Sequence, residues 1–187
     1  MRVIAGTARG RPLVAPPGRA TRPISDRVKE TLFAILGDRV PDARVVDLYA
    51  GSGAVGIEAL SRGAARCAFV DRDRRAVAAI RENLGRTGMV DRGSVHGQGV
   101  LPFLAAQGED RFDLAILDPP YAEHAILAPL ERLTGRLAPG ATVVVKHHWR
   151  TPVSAPPGLT AWRERRFGET MLTFLVAADR ADGVEEP

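Results

Sequence analysis

Three observations predict an α/β fold built on a mainly parallel sheet. From residue 43 onward, short apolar runs bounded by turns alternate with stretches of helical periodicity, the pattern of strands covered by helices on both faces. The first of these runs leads straight into a glycine-rich turn, Gly51, Gly53 and Gly56, that opens a helix. The last two runs, after Pro152, follow each other with no helix between them, which predicts an antiparallel hairpin at one edge of the sheet.

In chain order, residues 1–18 alternate short apolar pairs with Gly and Arg and end in Ala15-Pro16-Pro17-Gly18, the pattern of a small hairpin and a turn. A helix follows Thr21-Arg22-Pro23-Ile24-Ser25-Asp26, with Ser25 as its cap and Val28, Leu32, Ile35 and Leu36 along one face. Strands are expected at 44–49, 66–71, 113–118 and 142–147, with a weaker one near 94–96. Helices are expected at 54–62, 74–87 (started by Asp73), 100–107 and 124–136. The closing strands run from Leu159 to Arg166 and from Thr170 to Ala177, joined by Phe167-Gly168-Glu169. This organisation predicts a basic hairpin-and-helix extension over 1–36, a core domain over 37–178 and a frayed polar tail over 179–187.

The 187 residues, 45% hydrophobic, suit a single core. No apolar run approaches the ~20 residues that span a bilayer, and Met1-Arg2-Val3-Ile4-Ala5-Gly6 is no secretory leader, so a cytoplasmic location without membrane contact is expected. The single cysteine, Cys67, excludes an internal disulfide and a multi-cysteine zinc site; its setting, Cys67-Ala68-Phe69-Val70, predicts a buried thiol. Lys146-His147-His148 is a poor metal site, because adjacent residues of a strand point to opposite faces; surface or substrate contact is expected of these histidines. No metal is expected.

Charge is unevenly spread. The chain carries +4, yet residues 1–36 hold seven Arg and Lys against Asp26 and Glu30, leaving the remainder close to neutral. A basic arm on a neutral body is the footprint of a polyanion-binding surface. Arg9, Arg11, Arg19, Arg22 and Arg27 are the candidates for nucleic-acid contact, and Arg150, Arg163, Arg165 and Arg166 are candidates for extending that face.

Gly51, Gly53 and Gly56 satisfy G-x-G-x-x-G, with Asp71 twenty residues beyond Gly51, which is the dinucleotide fingerprint. Asp47 argues against a dinucleotide: a carboxylate at the end of the first strand opposes a pyrophosphate, which needs N–H donors and no negative charge. S-adenosylmethionine has no phosphate and carries an ammonium, so the same Asp favours it. The expected cofactor contacts are Asp47, Ala50, Gly51, Ser52 and Gly53 in the first turn. Asp71 and Arg72 follow after the second strand, Asp71 toward the ribose hydroxyls. Gln98 and Gly99 lie where the adenine is expected, and Asp118 lies beside the reacting end.

The second string is Asp118-Pro119-Pro120-Tyr121, after the apolar strand Leu114-Ala115-Ile116-Leu117. An exocyclic base amine is a poor nucleophile whose N–H₂ group gains positive charge as it attacks. Acceptors aimed at those hydrogens stabilise the transition state more than the ground state. Asp118 supplies one acceptor and the Pro119 carbonyl another. Pro119 and Pro120 fix the backbone without competing N–H groups, and Tyr121 offers a ring on which a base stacks.

From Met1 to about Ala177 the chain resembles the bacterial 16S rRNA guanine-N2 methyltransferases. The similarity rests on Arg2-Val3-Ile4-Ala5-Gly6, on Thr21-Arg22-Pro23 with Ser25 to Phe33, and on Asp47 to Gly53. It continues through Gly56 to Ala64, Asp118-Pro119-Pro120-Tyr121 and Phe167-Gly168-Glu169-Thr170. The Thr-Arg-Pro segment and its helix are the more specific marker. The resemblance implies a Rossmann-like, seven-stranded class I S-adenosylmethionine-dependent methyltransferase with an N-terminal β-hairpin extension. It also implies a guanine in 16S rRNA as substrate, presented in a partly assembled small ribosomal subunit; a monomer is expected. Gly99, Lys146 and Phe167 depart from the usual family residues.

An adenine-N6 or cytosine-N4 DNA methyltransferase, or an adenine-N6 methyltransferase acting on RNA, is the nearest alternative, since it could use the same acidic Pro-Pro-Tyr string. An NAD-dependent oxidoreductase is opposed by Asp47 and by the lack of a substrate domain. A non-catalytic RNA-binding module has no use for both the cofactor loop and Asp118.

Overall fold

The computed structural model describes residues 1–18, 24–106, 111–119 and 126–179. A seven-stranded sheet carries five parallel strands and a C-terminal antiparallel pair. In chain order the elements are α1 (Asp26–Leu36), β1 (Arg44–Leu48), α2 (Ala54–Ser61), β2 (Arg66–Val70), α3 (Arg74–Thr87), β3 (Gly93–His96) and α4 (Val100–Ala105). They continue with β4 (Phe112–Leu117), α5 (Leu127–Thr134), β5 (Leu137–His148), β6 (Leu159–Phe167) and β7 (Thr170–Ala177). The sheet order is β3-β2-β1-β4-β5-β7-β6, so the order of winding reverses between β1 and β4. Ligand sites of open α/β sheets lie at such a reversal, outside the strand C-termini.

The predicted alternation of strands and helices is present, with shifts at the ends. β5 begins at Leu137, before the expected 142, and its apolar stretch Val143 to Val145 is fully buried between β4 and β7. α5 covers 127–134 of the expected 124–136; residues 124 and 125, residue 107 of the expected fourth helix, and the tail 180–187 lie outside the described residues. Ser25 caps α1 by accepting from the Val28 amide at 3.3 Å, and Asp73 caps α3 by accepting from Arg75 at 2.8 Å. The buried face of α1 differs from the expected one: Phe33 joins Val28, Leu32 and Leu36, whereas Ile35 is half-buried. Two layers of apolar side chains cover the sheet. One packs α1, α2 and α3 against Phe69, Leu114 and Phe174, and the other packs α4 and α5 against Val46, Leu117 and Val143.

The N-terminal segment forms an irregular antiparallel hairpin, with the Val3 amide on the Arg11 carbonyl, the Leu13 amide on that of Met1, and a bridge between Arg2 and Pro12. It is docked tightly. Val3, Ala8 and Leu13 enter the α1–α2 core, and Glu58 of α2 accepts the amides of Ile4 and Ala5 at 2.8 and 3.0 Å. A Cβ on Gly6 would lie 1.8 Å from the Ser61 carbonyl oxygen, so only glycine permits this approach of the hairpin to the end of α2.

Candidate active site

The β1–α2 turn is shaped by left-handed backbone conformations at Tyr49, Gly51 and Gly53. The sequence predicts a strand through Tyr49; instead β1 ends at Leu48, and Tyr49 turns left-handed at φ 64°. A tyrosine there costs about 1–3 kcal/mol. Gly51 (φ 57°) and Gly53 (φ 74°) continue the turn. Gly56 serves a different end: a Cβ on it would lie 2.3 Å from a ring carbon of Phe69 and 2.7 Å from the Cys67 sulfur, so its absence lets α2 settle on β2. Cys67 is buried, as its setting predicts, and burial pushes its thiol well above the ordinary range.

Three carboxylates follow or close adjacent strands at this edge: Asp47 on β1, Asp71 after β2 and Asp118 after β4. Asp47 is buried and accepts the Gly56 amide at 2.9 Å. Burial, opposed by that N–H and reinforced by the charges of Asp118 and Asp71, pushes Asp47 up to about 8. Asp71 is also buried; its two oxygens accept the amides of Gly51 and Asp73, each at 2.9 Å, tying the glycine turn to the end of β2. A concentration of negative charge that raises its own central carboxyl suits a cationic ligand and opposes a pyrophosphate. The donor set therefore fits a sulfonium cofactor with an ammonium.

The other expected cofactor residues surround the same edge. Ala50 and Ser52 lie half-buried in the turn, with the Ala50 amide on the Val70 carbonyl at 3.0 Å. Arg72 and Gln98 are exposed, and Gly99 caps α4 without a side chain. Sequence reasoning missed His96 at the end of β3, whose ring lies 4.9 Å from that of Phe103 and whose pKa is lowered by burial. It also missed Asn83 of α3, which exchanges hydrogen bonds with Val14 of the hairpin (2.8 and 2.9 Å) and donates to the Ser52 carbonyl at 2.9 Å. One buried amide thus couples the arm to the cofactor turn.

Asp118 follows β4 directly, its amide on the Leu48 carbonyl at 3.3 Å, which brings it beside the end of β1. Pro119 is buried; Pro120 and Tyr121 lie outside the described residues. The Lys146 ammonium contacts both Asp118 oxygens, at 2.7 and 2.8 Å. His147 is a correction to the expected surface or substrate contact. It is buried, with Nε2 2.8 Å from the Thr173 hydroxyl, because the alternation that leaves Lys146 and His148 half-buried on one face of β5 turns this ring to the other.

Basic side chains gather in two places, one beside the last turn of α3 and one at the end of β5. Arg9 and Arg11 line a concavity of about 520 Å³ together with Gly10, Pro12 and Arg86, the last of which the sequence did not single out. Arg27 is exposed on α1, while Arg19 and Arg22 lie outside the described residues. At the end of β5, the guanidinium carbons of Arg150 and Arg166 lie 4.9 and 4.0 Å from the Trp149 ring centroid, with His148 stacked beside it. Arg163 and Arg165 are exposed along β6.

The family model described as conserved hypothetical protein 95 matches residues 1–176. Ribosomal RNA small subunit methyltransferase D of Haemophilus influenzae is 35% identical over 174 residues, covering 90% of this chain and 89% of that one. This chain belongs to the small-subunit rRNA methyltransferase D family. Among solved structures, the family's fold recurs in yhhF from Escherichia coli, at a TM-score of 0.86 and 30% identity over 95% of this chain and 98% of that one. SMU.776, solved in complex with SAH, has a TM-score of 0.68 at 12% identity, covers 81% of this chain and 49% of that one, and shares the fold alone. The fold is that of the class I S-adenosylmethionine-dependent methyltransferases.

Proposed function

We propose that this protein methylates the exocyclic N2 amine of a guanine in 16S rRNA, with S-adenosylmethionine as methyl donor. The observation that carries the reading is the register of β1 and β4, which pair Leu48 with Leu117 and so bring the cofactor turn and Asp118 to adjacent strand ends. The similarity to relatives named for small-subunit rRNA methylation supports the substrate class. The bound cofactor would supply an electrophilic methyl on a sulfonium. Asp47, Asp71 and the Gly51–Gly53 turn would hold it, with Arg72, Gln98 and Gly99 at its adenosine end.

The chain's own residues orient the amine. Asp118 accepts one N–H and the Pro119 carbonyl the other, so that positive charge developing on the nitrogen meets acceptors already in place. Pro120 keeps that carbonyl fixed, and Tyr121 stacks the extruded base. An RNA hairpin loop already displays unstacked bases, so a small arm suffices to present one. Arg9, Arg11, Arg19, Arg22 and Arg27 serve the RNA backbone, and the Arg150–Trp149–Arg166 group at the end of β5 is a second RNA contact. In this reading residues 1–36 are the RNA-contacting extension of a monomeric cytoplasmic enzyme that acts on a partly assembled small subunit. Incubating small-subunit particles from a deletion strain with the enzyme and S-adenosylmethionine, then mapping modified nucleosides by mass spectrometry, tests it: one new N2-methylguanosine is expected.

A further inference from the structure

Lys146 and Asp118 follow the paired residues Val145 and Leu117 on neighbouring parallel strands, and therefore meet at the site edge. The contact is two-pronged, 2.7 and 2.8 Å to the two oxygens, with the side chains 12% and 30% exposed. At that burial an ion pair is more than a screened surface contact. A carboxylate offers about four lone-pair positions, more than a single ammonium on both oxygens takes up. Asp118 also stands in the field of Asp47, whose carboxyl it pushes up. Lys146, in contact with both oxygens, supplies a counter-charge to this repulsion.

We propose that Lys146 is a positioning residue that acts through Asp118, so that the two work as one unit in methyl transfer. The inference rests on the role given to Asp118 under Proposed function. It has a consequence that a purely structural lysine lacks. With Asp118 in place the ammonium charge is neutralised. With Asp118 made neutral, the same ammonium faces a nitrogen that is gaining positive charge, and it opposes the reaction. Removing Lys146 should therefore harm the wild type and help an Asp118→Asn variant.

A double-mutant cycle reads this directly. Turnover and KM are measured for Asp118→Asn, Lys146→Met and the double variant, on small-subunit particles with S-adenosylmethionine; S-adenosylhomocysteine binding by calorimetry reports that each site is folded. Lys146→Met should lower kcat by ~10- to 100-fold with little change in cofactor KM, and Asp118→Asn by ~10²- to 10³-fold. The double variant should be at least as active as Asp118→Asn alone. Lys146→Arg, which keeps the charge and can fork both oxygens, should restore most of the activity. Losses that multiply in the double variant, or a wild-type kcat in Lys146→Met, overturn the proposal. Wild-type activity in Asp118→Asn instead overturns the reading of Asp118, a separate and recognisable result. If methionine at 146 impairs folding, Lys146→Gln completes the same cycle.

Discussion

Lys29 of α1 and Glu58 of α2 form an ion pair 3.2 Å long in which neither side chain reaches solvent. Around it, Lys29 donates to the Arg2 carbonyl at 2.6 Å, Arg62 reaches the second Glu58 oxygen at 2.8 Å, and Glu58 also accepts the two hairpin amides. The cluster locks the arm, α1 and α2 into one body. Glu58→Ala leaves the Lys29 charge and two N–H groups buried without this acceptor, and should cost about 3–5 kcal/mol in urea unfolding. Lys29→Met/Glu58→Gln should cost clearly less, because no uncompensated charge remains. Equal losses in the two variants would show that packing, and not charge, governs the cluster.

Gly56→Ala tests the close packing of α2 on β2. The added methyl meets the Phe69 ring and the Cys67 sulfur, so α2 must move outward. A loss of about 1–3 kcal/mol is expected, with weakened S-adenosylhomocysteine binding because the turn moves with the helix. Unchanged affinity by calorimetry would separate the turn from the helix.

Asp47 gives a pH signature. Its carboxyl is raised from the ordinary 3.8 to about 8, so between these values the folded protein holds more protons than the unfolded one. The Asp47 contribution to stability is thus fully present below pH 4 and is lost as pH rises toward 8. Asp47→Asn should show a shallower decline over that window in ligand-free denaturant titrations. An identical slope in both proteins would contradict the raised carboxyl.

Much of the scaffold was legible in the sequence, because apolar runs bounded by turns, the glycine turn and the Ser25 and Asp73 caps are local signals. The convergence of Asp47 and Asp118 followed from their places at strand ends. What was hidden depends on contacts distant in sequence. Nothing local distinguishes Lys29, which α1 buries against an acid on another helix, or Asn83, which faces Val14 and Ser52 from the middle of a charged helix. Tyr49 reads as the end of a strand, whereas it turns left-handed at φ 64° just after β1. His147 was misjudged because a polar pair reads as surface, whereas β7 supplies Thr173 as a buried partner.

The two basic surfaces make separable predictions. Arg9→Ala/Arg11→Ala/Arg86→Ala should weaken binding to an rRNA fragment and reduce the salt slope by about 0.7 for each phosphate no longer neutralised, with cofactor affinity kept. Trp149→Ala should cost about 1–3 kcal/mol of RNA affinity with little change in slope, since a ring contributes stacking and no charge. Filter binding across a salt series measures both. A triple variant with the wild-type slope would make the concavity a bystander.

The most direct measurement of the central claim is single-turnover methylation of small-subunit particles by wild-type and Asp118→Ala enzyme, using isotopically labelled S-adenosylmethionine and nucleoside mass spectrometry. The label should appear as N2-methylguanosine at one 16S position, and Asp118→Ala should lose ~10²- to 10³-fold or more in rate while binding S-adenosylhomocysteine nearly as well. Label on adenine N6, or a wild-type rate in Asp118→Ala, would contradict the account.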